Sequence, residues 1–142
     1  MKLKRVREKP PQVPVVLLVD DDDLVREVTA SKLEDLGYRV TQAANGPSAL
    51  LAFEQSPDVG LLVLDFAMPG MNGAEVARAA RKRRPGVPLM FLTGYADLTA
   101  LGEFASEAIL HKPFRDDELG QKVAELLKLQ APAEPVSTAE SA

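Results

Sequence analysis

Three apolar runs in this 142-residue chain end on side chains able to do chemistry. Val15-Val16-Leu17-Leu18-Val19 runs into Asp20-Asp21-Asp22-Asp23, Leu61-Leu62-Val63-Leu64 runs into Asp65, and Ile109-Leu110-His111 runs into Lys112. If the runs are neighbouring parallel strands, their carboxyl ends lie side by side. Carboxylates and one ammonium then meet at the sheet edge, where open α/β folds place their ligands. Two like charges about 4 Å apart at an effective dielectric near 20 repel by roughly 4 kcal/mol. A hard divalent cation with oxygen ligands relieves that repulsion, and Mg2+ suits such a cluster.

Each residue also has a plainer reading. Aspartate ahead of an apolar-periodic helix caps its free N–H groups, which suits Asp22 and Asp23 better than ligation does. Capping accounts poorly for Asp20 and Asp21, which sit at the strand end where only one residue can cap. Asp65 alone could open the turn at Met68-Pro69-Gly70, and Lys112 could be a surface lysine. Their joint occurrence at converging strand ends favours a site. His111, the only histidine, alternates with Lys112 along a strand and is expected to face away from the pocket.

The elements that must position these groups alternate between short β-rich runs and helical patterns. Strands are predicted at about 15–19, 38–43, 60–64, 88–92 and 107–111, and helices at about 23–36, 47–56, 73–84, 97–104 and 115–129. Gly37 stands where a glycine closes the first helix, and Pro47 stands at the start of the second, where its missing N–H is harmless. Leu119, Val123, Leu126 and Leu127 form one stripe on the last helix. The first and third strands are apolar on both faces and belong in the middle. The fold class is therefore α/β, a doubly wound five-stranded parallel sheet of order 2-1-3-4-5, with its switch point between strands one and three.

Composition bounds the function. With 46% hydrophobic and 27% charged residues the chain reads as globular. No run approaches the ~20 apolar residues of a membrane span, and no apolar stretch follows the basic start. Without cysteine there is no disulfide or thiolate site, which accords with a cytoplasmic setting. Residues 1–9 carry a net +4 and the remainder −8. The acidic body argues against nucleic acid. Residues 1–13 are expected to be a basic flexible arm and 130–142 a disordered tail, leaving one folded domain over 14–129.

The motifs Leu-Leu-Val-Asp-Asp-Asp (17–22), Leu-Asp-Phe-Ala-Met-Pro-Gly-Met-Asn-Gly (64–73), Phe-Leu-Thr-Gly (91–94) and Lys-Pro-Phe (112–114) fall in order, each at a predicted strand end. The segment resembles the receiver domain of bacterial two-component response regulators, which has a flavodoxin-like fold. The resemblance implies that Asp65 is the phosphoacceptor and that Asp20 and Asp21 are the acidic metal-binding pair. It makes Thr93 the switch hydroxyl, Lys112 the family's lysine, and the Ala67 backbone carbonyl a further Mg2+ ligand beside Asp65. It also implies a cis Lys112–Pro113 bond that sends Phe114 back to the core.

The implied function is a phosphorylation-controlled switch that is no enzyme beyond its own phosphorylation and dephosphorylation. A histidine kinase or histidine phosphotransfer protein would donate. A downstream protein target would read the result, with no nucleic acid or membrane involved, by a monomer or a phosphorylation-dependent dimer. The chain departs from the family at Ile109, where an aromatic is usual, and in an interval from Thr93 to Lys112 that is short by roughly one helical turn. This moves the expected switch to the loop Thr93-Gly94-Tyr95-Ala96. Alternatives are a receiver fragment of a hybrid sensor kinase, or a magnesium-dependent phosphohydrolase forming an aspartyl-phosphate. The second is disfavoured by Ala67, where a general acid would be needed.

Overall fold

The computed structural model describes residues 14–94, 99–104 and 106–130. The predicted basic arm, nearly all of the predicted tail, and Tyr95 and Ala96 of the predicted switch loop lie outside the described residues. In chain order the elements are β1 (Val15–Val19), α1 (Asp23–Asp35), β2 (Arg39–Ala43), α2 (Gly46–Gln55), β3 (Val59–Asp65), α3 (Gly73–Arg83), β4 (Leu89–Thr93), a 3-10 helix (Thr99–Phe104), β5 (Ala108–His111) and α4 (Asp116–Gln130). All neighbouring strands pair in parallel, in the order β2-β1-β3-β4-β5. This is the predicted topology. The last helix extends one residue into the stretch predicted as tail.

Side-chain alternation divides the core into two layers. Val15, Leu17, Val19, Leu62, Leu64, Leu89 and Phe91 pack with Ala49 and Phe53 of α2 and Ala77 and Ala80 of α3. Val16, Leu18, Leu61, Val63, Met90, Leu92 and Leu110 pack with Ala30 and Leu33 of α1 and Leu119 and Val123 of α4. Leu126 and Leu127 complete the stripe as partly buried neighbours of that second layer. Each fully buried leucine of β1 and β3 contributes roughly 1.5–3 kcal/mol. The strands together therefore outweigh a carboxylate repulsion of the size set out above.

Local chemistry fixes the helix ends. Asp22 caps α1, its side chain accepting from Val25 N at 3.1 Å. At the other end Gly37 takes φ 101°, and N–H groups of Gly37 and Tyr38 bond the carbonyls of Glu34 and Leu33, a Schellman closure. Asn45 caps α2, with Pro47 in its first turn. Asn72 and Glu75 form a capping box at α3.

The predicted fourth helix differs. Over its described part the chain forms only the 3-10 helix, interrupted at Gly102 with φ 52° and ψ −114°. Leu101 and Phe104, on either side of that interruption, are both buried, and Phe104 meets Phe91 at 5.6 Å between ring centroids. Among the described residues no helix is long and apolar enough to cross a membrane.

Candidate functional site

Strand parity brings the site together. Asp20 follows Val16 and Leu18, Asp65 follows Leu61 and Val63, and Lys112 follows Leu110, so all three side chains continue the layer covered by α1 and α4. Asp20 stands one residue beyond the β1 ladder and is 1% exposed. Its Oδ1 accepts from Asp22 N at 2.9 Å. Its Oδ2 is buried and, among the described residues, has no hydrogen-bond partner. Asp65 closes β3 and is 4% exposed. The Lys112 ammonium donates to Asp65 Oδ1 at 2.8 Å, while the Lys112 N–H donates to the Thr93 carbonyl at 2.9 Å and pins the end of β5 to β4.

Carboxylate oxygens of Asp20, Asp21 and Asp65 lie within 4.8 Å of one another. Burial lifts the Asp65 carboxyl from 3.8 to about 6. The hydrogen bond and charge of Lys112 pull it down only in part, and Asp20 and Asp21 push it further up. Burial works against the Lys112 ammonium, but the hydrogen bond and charge of Asp65, with the fields of Asp20 and Asp21, leave it above its ordinary value. Three carboxylates against one ammonium leave a formal −2 that a divalent cation cancels. The donors are all oxygen, which suits a hard ion such as Mg2+ and not a soft one. The orphaned Asp20 Oδ2 is the group such an ion would satisfy.

The other sequence candidates are placed as follows. Thr93 ends β4, is 1% exposed, and its hydroxyl donates to the Gly94 carbonyl at 3.1 Å. Ala67 lies two residues past Asp65 with an exposed side chain. Its loop is drawn tight by bonds from Met68 N and Gly73 N to the Phe66 carbonyl. Gly73 is needed there, because a Cβ would come 2.7 Å from the Asp65 carbonyl oxygen. Asp22 is a cap, and Asp23 pairs with Arg26 at 2.9 Å. The Lys112–Pro113 bond is cis, and Phe114 packs onto the second layer. His111 pairs in register with Thr93, so alternation gives it the face opposite Lys112.

Sequence reasoning missed Arg26. Its side chain is 12% exposed. Nη1 donates to the Asp20 carbonyl at 2.8 Å, and Nε donates to Gln42 Oε1 at 3.1 Å. The available signal was a cation in the first turn of α1, the end of a helix that disfavours positive charge.

Residues 16–124 match the family described as "Response regulator receiver domain". The response regulator receiver protein CpdR of Brucella abortus is 36% identical over 115 residues, 79% of this chain and 95% of that protein. The sensor kinase CckA of the same organism is 36% identical over 119 residues, 81% of this chain but 13% of the kinase. The chain spans about half the length of the transcriptional regulators it also matches. Among solved structures, the response regulator TrrA of Thermotoga maritima, in complex with Mg(2+)-BeF, superposes with a TM-score of 0.73 at 35% identity. That match covers 80% of this chain and 99% of TrrA.

Proposed function

The chain belongs to the response regulator receiver domain family, and from that premise we propose that Asp65 accepts the phosphoryl group through which this signalling switch is controlled. The observation that carries the assignment is the 2.8 Å contact of Lys112 with Asp65, at the end of the central strand and beside the orphaned Asp20 oxygen. An ionised Asp65 oxygen attacks the phosphorus of a phosphohistidine on a donor protein. The new O–P bond forms as the N–P bond breaks, and the electron pair returns to the imidazole nitrogen, leaving an aspartyl phosphate. With its carboxyl near 6, Asp65 is ionised at neutral pH and available as the nucleophile.

Lys112, already pointed at Asp65, offsets charge on the phosphoryl oxygens. The Thr93 hydroxyl, now turned to Gly94, is the group at that strand end able to turn and donate to one of those oxygens. Asp20, Asp21, Asp65 and the Ala67 carbonyl would hold Mg2+, which when bound supplies further charge neutralisation. Phosphorylation and its reversal are the reactions this arrangement supports. Ala67 brings no proton donor to a substrate ester, which disfavours the phosphohydrolase reading.

The donor is a histidine kinase or a phosphotransfer protein, and the reader is a protein partner. The same chemistry would serve a stand-alone receiver, as the match over 95% of CpdR favours, or the receiver of a hybrid kinase, in either case in the cytoplasm. The test is incubation with acetyl phosphate and Mg2+ followed by peptide mapping. One phosphate on Asp65, absent from Asp65→Asn, is the expected result. Phosphate on Asp20, Asp21 or His111 would overturn the assignment, and repeated turnover of a phosphate ester would favour the hydrolase.

A further inference from the structure

We infer that Arg26 is a positioning residue for the cation site: it holds the Asp20 peptide so that the free carboxylate oxygen stays aimed into the pocket. The inference rests on the reading of Asp20, Asp21 and Asp65 as a Mg2+ site. Asp20 lies one residue past the point where β1 pairs with β3, so no ladder partner fixes its carbonyl. Its N–H is still tied to the Ala43 carbonyl of β2 at 3.2 Å. Its carbonyl is taken by Arg26 Nη1 at 2.8 Å.

The same guanidinium is braced on two further sides, by Gln42 of β2 at 3.1 Å through Nε and by Asp23 at 2.9 Å. One planar fork thus joins the end of β1, the neighbouring strand and the first turn of α1. The position runs against the helix dipole, and a lysine, with a single ammonium in place of a fork, cannot reproduce all three contacts. With peptide N–H, peptide carbonyl and Oδ1 all engaged, Oδ2 is the one part of Asp20 left for a cation, and its direction is set before any ion arrives. Groups standing behind metal ligands in this way typically change affinity by about 10–100-fold when removed.

The charge and the geometry of Arg26 act on a cation in opposite directions, and that makes the inference testable. As a mere positive charge, Arg26 repels Mg2+. Arg26→Gln would then bind it more tightly and Arg26→Lys would be unchanged. As a positioning residue, both substitutions weaken binding by about tenfold or more. Gln42→Ala, at an exposed position, weakens it less but in the same direction.

The experiment measures Mn2+ binding to the full chain by electron paramagnetic resonance of the free ion, with Mg2+ competition and circular dichroism to establish folding. A second readout is acetyl phosphate uptake against Mg2+ concentration. The half-saturating concentration should rise in the variants while the plateau rate stays near that of the wild type. Wild-type protein that fails to bind Mn2+ or Mg2+ overturns the reading of the site. Wild-type binding with unchanged or tighter binding in Arg26→Lys and Gln42→Ala overturns the role of Arg26, as does a loss of thermal stability with no change in half-saturation.

Discussion

Without a cation the protein carries an unfavourable charge at its centre, and Asp65→Asn should remove it. The Asp65 carboxyl stands at about 6 against an ordinary 3.8. At 1.36 kcal/mol per pKa unit the ionised form is disfavoured by at most about 3 kcal/mol. Water and counterions reaching the pocket mouth reduce that to about 1–2 kcal/mol. The attraction of Lys112 is already counted in the value, and asparagine keeps an oxygen for the lysine to bond. In EDTA at pH 7.5 the variant should therefore be more stable than the wild type by about 1–2 kcal/mol, a rise in Tm of roughly 3–10 °C for a domain of this size.

The sign fixes the pH dependence. Above pH 6 Asp65 is ionised in both folded and unfolded states, and the folded state bears the whole penalty. Between about 6 and 3.8 the folded protein holds a proton that the unfolded chain has lost, so wild-type stability relative to the variant recovers as pH falls. Below 3.8 the two should coincide. Mg2+ should reverse the order at neutral pH. At a hundred times its Kd it stabilises the wild type by about 2.7 kcal/mol, and the variant by less. Thermal or urea unfolding followed by circular dichroism reads all three. A variant less stable than the wild type in EDTA at pH 7.5, or a difference that persists unchanged at pH 3.5, would refute the reasoning.

Lys112→Gln removes the contributions that lower the Asp65 carboxyl and leaves burial and the two acids, so Asp65 should titrate above 6. Carboxyl carbon NMR of the metal-free protein measures this, and the acid limb of phosphate uptake should move to higher pH with it. Arg81→Gln breaks a forked pair with Glu107 at 3.0 and 3.2 Å and a bond to the Val87 carbonyl at 2.8 Å. It should cost about 1–3 kcal/mol and speed amide exchange over 99–107 while leaving β3 protected. Leu24 and Val28 of α1 are exposed apolar residues beside a cavity of about 400 Å³ bordered by Lys112, Pro113 and Phe114. A donor protein docking here would bring its histidine to the Lys112 side of the site. Leu24→Glu with Val28→Glu should slow transfer from a phosphohistidine protein at least tenfold, with uptake from acetyl phosphate unchanged.

The sheet and the acid–lysine centre were legible in the sequence because both depend on short-range rules. Continuous apolar runs mark strands buried on both faces, caps such as Asp22 and Gly37 mark helix ends, and a parallel sheet collects the carboxyl ends of its strands on one edge. Parity then selects Asp20, Asp65 and Lys112 for one face and sends His111 to the other. What stayed hidden depends on side chains meeting across the fold. Arg26 reads as a helix-surface charge until β2 brings Gln42 beside it, sixteen positions along the chain.

The connection between β4 and β5 was hidden for the same reason. Its composition suggests a helix, yet its shape is set by partners 25 and 26 positions away: Arg78 forks onto Glu103, and Arg81 onto Glu107. Phe104 lies between, under the Arg78 guanidinium at 5.9 Å and against Phe91. These contacts fasten the later part of the connection to α3, just after Gly102, which stands at a backbone conformation only glycine adopts readily and lets Leu101 and Phe104 on either side of it both enter the core. Ile109 belongs to the same fastened region: it packs against the α2 and α3 layer, beside Phe91 and Phe104 of the same cluster, so at this position an aliphatic side chain is held by the core that the Arg78 and Arg81 contacts close over.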